Sequence, residues 1–182
     1  MTDQFELRYG SIYSRCRAMA APALVWMALA AMSVSWTLMV WLFGVNWPIL
    51  DELGYLSYTV GEKPITWAML WADHNGHRLV LTKLVYLGLM KISDVQPAFV
   101  MYVDVALLTL MATALLMTLR RARGKLVLTD VAIPLSLLAF SQYEDVLWAF
   151  QLTYVLSQTL VLLAWIAVLP LLPETKDKPL PE

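Results

Sequence analysis

Charged side chains are absent from residues 18–50 and again from residues 146–173. Each run is longer than the roughly 20 apolar residues that carry a helix across a bilayer. Residues 105–119 form a third uncharged run, extended toward the N-terminus by 97–103 with only Asp104 interrupting. Residues 131–143 form a fourth, shorter one. This pattern predicts an all-α, polytopic helical membrane protein with four to five membrane helices. The predicted spans cover 19–44, 96–119 and 150–170, with a further helix over 127–142. The first is read as an uncleaved span, because its apolar core is too long for a signal peptide and the small-residue stretch Ala18-Met19-Ala20 precedes it.

Residues 79–92 are apolar at helical spacing but contain Lys83, Lys91 and Gly88. At about 1.5 Å per residue this helix covers roughly 21 Å, less than the roughly 30 Å hydrocarbon core. It is either a tilted span with snorkelling lysines or a re-entrant helix. Between the first span and this segment lies an external loop over 45–78, in which the amphipathic stretch 65–71 predicts a short helix in the membrane interface. Residues 1–173 therefore read as a single transmembrane domain, and the proline-containing tail 174–182 as disordered.

Composition agrees with this picture: 60% of the 182 residues are hydrophobic and 15% are charged, against about 25% charged in a soluble domain. The single cysteine, Cys16, excludes an internal disulfide. No basic surface tract points to nucleic acid as a partner. Arg8, Arg15 and Arg17 flank the first span and place the N-terminus in the cytoplasm. The densest basic cluster is Arg120-Arg121-Ala122-Arg123-Gly124-Lys125. If 79–92 does not cross, that cluster also faces the cytoplasm. The acidic loop, the histidines and Glu144-Asp145 then gather on the opposite side.

Against so apolar a background, three polar groups stand out. Asp51-Glu52 lies just beyond the first span and is either an acidic pair that keeps a loop in water, or a general base or ligand to a divalent cation. Asp73-His74-Asn75-Gly76-His77-Arg78 holds both histidines of the chain. On a helix, His74 and His77 share a face with Arg78 one turn from His74, and a helix N-terminus carrying imidazoles and a guanidinium suits a phosphate. Zinc would lack third and fourth ligands nearby, and an interfacial cap is the structural alternative. Ser141-Gln142-Tyr143-Glu144-Asp145 is either an ordinary turn or a second acidic site.

The order of these groups resembles the GT-C superfamily of polytopic membrane glycosyltransferases. In particular it is similar to bacterial proteins with a His-Asn-x-His-Arg motif, here His74-Asn75-Gly76-His77-Arg78. It is also similar to protein O-mannosyltransferases and aminoarabinose transferases, which carry an acidic pair in the first external loop. A downstream Gln-Tyr-Glu…Leu-Trp-x-Phe-Gln motif is matched by residues 142–151. The resemblance covers roughly residues 20–165. It implies transfer of a sugar from a polyprenyl-phosphate donor to an acceptor on the non-cytoplasmic face of a bacterial inner membrane. Asp51 would be the base, with Glu52 assisting and Glu144 as the second acidic site. His74, Asn75, His77 and Arg78 would hold the donor phosphate, and the cofactor stays open, a divalent cation being the candidate. Family members are far longer, so the resemblance also implies an N-terminal portion, completed by further helices or a larger membrane partner. A small, non-enzymatic membrane assembly subunit is the alternative.

Overall fold

The computed structural model describes the backbone of residues 2–168 and the side chains of residues 20–168. The tail expected to be disordered, 174–182, lies outside the described residues. Those described are helical, apart from connecting turns and one isolated backbone bridge between His74 and His77. The helices are α1 (Thr2–Phe43), α2 (Leu56–Thr59), α3 (Trp67–Trp71), α4 (Val80–Ile92), α5 (Pro97–Arg123), α6 (Ala132–Leu137), α7 (Tyr143–Val146) and α8 (Leu152–Val168). Three stretches are long and apolar enough to cross a membrane: Ala20–Phe43 of α1, Pro97–Arg123, and Ala149–Val168. Neither α4, with 13 residues, nor α6, with six, reaches that length.

Local chemistry explains the helix ends. A side chain at Gly44 would run into the carbonyl oxygen of Val40, which the Gly44 amide caps at 2.7 Å. Pro97 opens α5, where its missing N–H costs nothing. Gly124 closes α5 in the left-handed region at φ 76°. Arg120, Arg121 and Arg123 occupy the last turn, where cations oppose the helix dipole.

Helices α1 and α5 run antiparallel. The Ala98 amide donates to Asn46 Oδ1 at 3.3 Å near one end, and Ser33 and Thr109 hydroxyls meet at 2.9 Å midway. Such small polar pairs join apolar helices without needing a hydrophobic driving force. Val25, Trp36 and Val40 of α1 are buried with Met101, Leu108 and Leu116 of α5.

The segment 126–151 returns from the Arg123 end of α5 to the opposite end as a broken path. Asp130 anchors its start, accepting Arg123 Nη2 at 2.7 Å and the Val127 amide at 2.8 Å. The helix expected over 127–142 is split into a 3-10 turn at Leu128–Val131, α6, and a second turn at Phe140–Gln142. Tertiary packing imposes the second break. The Trp36 indole donates to the Leu138 carbonyl at 2.8 Å, and the Gln142 amide, its partner in a continuous helix, bonds Ala139 instead at 3.0 Å. At the far end the Phe150 amide reaches Glu52 Oε1 at 3.2 Å. From there α8 packs back along α5.

Candidate functional site

Residues 73–78 do not open a helix. The His74 amide donates to the His77 carbonyl at 2.8 Å, and the His77 amide to the His74 carbonyl at 2.9 Å. Asn75 and Gly76 bridge them at φ 51° and 81°. Two successive left-handed residues make a type I′ turn, for which Asn-Gly is the preferred pair. Asp73 Oδ2 accepts the Gly76 amide at 2.9 Å and tightens the turn. Helix α4 begins only at Val80. His74, His77 and Arg78 thus share a hairpin rather than a helical face, and no helix N-terminus forms the clamp expected from the sequence. The turn prevails because Gly76 meets its positive φ without strain, and Asn75 tolerates it.

The hairpin presses His74 against the first loop. His74 Nε2 lies 3.3 Å from Asp51 Oδ2, and His74 Nδ1 lies 3.0 Å from the Tyr55 hydroxyl. Asp51 and Tyr55 are brought to one side by the 3-10 turn Leu50–Tyr55. Burial, helped by the Asp51 charge, pushes the Tyr55 phenol up to about 12. The phenol therefore keeps its proton, and which atom donates in the Tyr55–His74 contact follows the imidazole tautomer. Phe150 backs the arrangement, stacked on Tyr55 at 5.2 Å and tilted against His74 at 5.0 Å.

A cleft of about 660 Å³ opens beside this pair. Asp51, His74, Asn75, His77 and Arg78 line its polar end. Another wall runs down α8, where Leu156 and Leu160 lie among Thr153, Tyr154 and Ser157. Arg78 lies 5.3 Å over the Trp71 ring and is otherwise exposed, its guanidinium edge open to a ligand.

Glu52 and Glu144 stand apart from this group. Glu52 is buried, with Oε2 accepting the Ile49 amide and Oε1 the Phe150 amide, each at 3.2 Å. It joins the first loop to the Ala149–Gln151 turn, so its place is that of a positioning residue. Burial raises its pKa, although those amides oppose the shift. Glu144 is exposed on α7, accepts only the neighbouring Tyr143 hydroxyl at 2.8 Å, and does not line the cleft.

Lys83 does not snorkel. It is 2% exposed, and its ammonium donates to the carbonyls of Ala72 at 2.6 Å and of Met69 and Leu70 at 3.4 Å. These carbonyls lie at the C-terminus of α3, where a cation is favoured. Burial lowers its pKa, and the nearby Asp73 opposes that. Lys83→Met fills similar space but takes the ammonium from the Leu70 and Ala72 carbonyls. We expect a loss of about 2 kcal/mol and faster amide exchange over 66–78, read by thermal unfolding and hydrogen exchange. Wild-type protection would show that Lys83 does not hold the hairpin.

Tyr55, Lys83 and Phe150 are site residues that sequence reasoning left aside. Tyr55 carried one signal, its spacing of four from Asp51, and Phe150 lies within the motif at 142–151. Comparison with protein families, curated proteins and solved structures returns no match.

Proposed function

We propose that this chain is a membrane glycosyltransferase, or the N-terminal module of one, that moves a sugar from a polyprenyl-phosphate donor to a hydroxyl acceptor. The observation carrying the reading is the form of the cleft beside Asp51 and His74. Asp51, His74, His77 and Arg78 converge at its head, and the rest of the lining is mostly apolar, with Leu79, Val80, Leu81, Leu156 and Leu160 beside Thr153 and Ser157. An amphiphile with a phosphate head and an isoprenoid tail has the same division. His77 and Arg78 would receive the charge that develops on the leaving phosphate. Asp51, oriented by His74, would take the acceptor proton.

The topology that fits this function places α1, α5 and α8 as spans. The broken path 126–151 is then a fourth crossing, packed on one side against α1 and α5, and α4 enters only part way. Arg8, Arg15, Arg17 and the Arg120–Lys125 cluster face the cytoplasm of a bacterial inner membrane, and the cleft opens on the other side. Among the described residues no three His, Cys, Asp or Glu side chains gather to hold a metal.

Arg78 tests the reading. Arg78→Ala in nanodiscs is expected to weaken binding of a polyprenyl-phosphate sugar by about 10–100-fold, the range for losing a charged hydrogen bond, with Arg78→Lys intermediate. Equal affinity in wild type and Arg78→Ala would sink the assignment and favour a non-enzymatic assembly subunit that co-purifies with a larger membrane protein.

A further inference from the structure

The outward face of α5 changes character along its length. Ala106, Leu110 and Met117 lie on it at helical spacing, and all three are exposed, Leu110 at 47% and Met117 at 45%. One turn past Met117 the same face carries Arg120 and Arg121, also exposed, and the exposed Lys125 follows Gly124. Arg123 is turned the other way. It shares the inward side with the buried Leu116 and pairs with Asp130 at 2.7 Å. We propose that Arg120, Arg121 and Lys125 bind the headgroup phosphate of an anionic phospholipid whose acyl chains lie along Ala106, Leu110 and Met117. The proposal is independent of the glycosyltransferase reading, which concerns the cleft beside Asp51 and His74.

Charge complementarity carries the assignment. Residues 105–129 contain no carboxylate. Among the described residues the acid next to the cluster is Asp130, which Arg123 and the Val127 amide already occupy. Arg120, Arg121 and Lys125 form no ion pair with a described carboxylate. Antiparallel α1 leaves the bundle at this same end, and Arg15 and Arg17 precede Ala20 on it, so the adjoining part of that element is also basic.

The division of the face matches that of a lipid, with an apolar stripe for the chains and cations where the stripe ends. Guanidinium forks fit phosphate oxygens, and Arg and Lys at a helix end reach the headgroup level while their stems stay on apolar surface. A zwitterionic lipid offers the same phosphate but sets a cation beside it, which the cluster repels. Each Lys or Arg near the surface strengthens anionic-lipid binding about fivefold. A free phosphate shares the head chemistry but has no chain to lay on the stripe.

Lipid titration of the full chain in neutral maltoside micelles, read by native mass spectrometry, tests this. The probes are phosphatidylglycerol, phosphatidylcholine and inorganic phosphate. Wild type is expected to bind phosphatidylglycerol at least about tenfold more tightly than phosphatidylcholine, and added salt should narrow the difference. The triple variant Arg120→Gln/Arg121→Gln/Lys125→Gln should lose the preference, and Arg120→Lys/Arg121→Lys should keep most of it. Lys91→Gln, an exposed cation in the last turn of α4, should leave it unchanged. Equal affinity of wild type for the two lipids overturns the proposal without recourse to any variant, and leaves the cluster to acids of the chain itself. A preference that survives in the triple variant, or that Lys91→Gln removes as fully, overturns the assignment to these three cations. Inorganic phosphate that displaces phosphatidylglycerol at equal concentration overturns the lipid assignment in favour of a free anion.

Discussion

Asp51→Asn is expected to reduce sugar transfer by about 10²–10⁴-fold, the range a positioned general base supplies. The amide is nearly isosteric with the carboxylate and can still meet His74, so folding should be preserved. It cannot accept the acceptor proton, however, and the attacking oxygen would have to lose that proton to water. Affinity for the polyprenyl-phosphate sugar should change little, because in the proposed site His77 and Arg78 would hold the phosphate. Transfer and binding measured on the same nanodisc preparation separate the two effects. Wild-type turnover in this variant would remove Asp51 as the base. A loss confined to binding would instead make Asp51 a substrate contact.

Glu52→Ala is expected to be the most destabilising single change at the site, by about 3 kcal/mol or more. It leaves the buried Phe150 amide unpaired, at a cost of about 1–3 kcal/mol, takes the partner of the part-buried Ile49 amide, and opens a void beneath the first loop. The loop then loses its tie to the Ala149–Gln151 turn, so the contacts of Phe150 with Tyr55 and His74 should loosen as well. Glu52→Gln keeps one acceptor oxygen but sets an NH₂ against the second amide, and should fall between. The raised pKa of Glu52 adds a pH signature. The folded state holds the proton to higher pH than the unfolded chain does. Stability from this group is therefore fully present below the ordinary value of 4.5 and declines as pH rises through the raised folded value. Thermal unfolding in detergent across that window should show a slope in wild type that Glu52→Gln flattens. Parallel curves would mean that Glu52 titrates alike in both states.

The three long apolar helices follow from uncharged runs, a property each segment carries by itself. The end of α5 at Gly124 is equally local. The turn at 73–78 was also within reach of sequence, because Asn75-Gly76 between two residues that can pair is a hairpin signal. Helical spacing of His74 and His77 suggested another geometry, and the left-handed preference of the Asn-Gly pair prevailed over it.

Sequence by itself determined that the chain is apolar enough for a bilayer, where its long helices lie, and which few ionisable groups could carry chemistry. Tertiary structure decided how those groups are used. Of the two adjacent acids, Asp51 faces a cleft and Glu52 is buried on two amides, although nothing in their order distinguishes them. Lys83 is spent on the end of α3, and Glu144 is left outside. The path 126–151 breaks where Trp36 takes a carbonyl that a helix would have used. The places of Glu52, Lys83 and Trp36 are competitions among buried hydrogen-bonding groups for partners outside their own turn. Phe150 and Glu52 meet across 98 positions, and Asp51 and His74 across 23. Periodicity and turn preference act over a few residues and so cannot assign such partners. Only the packed fold brings the competing groups together.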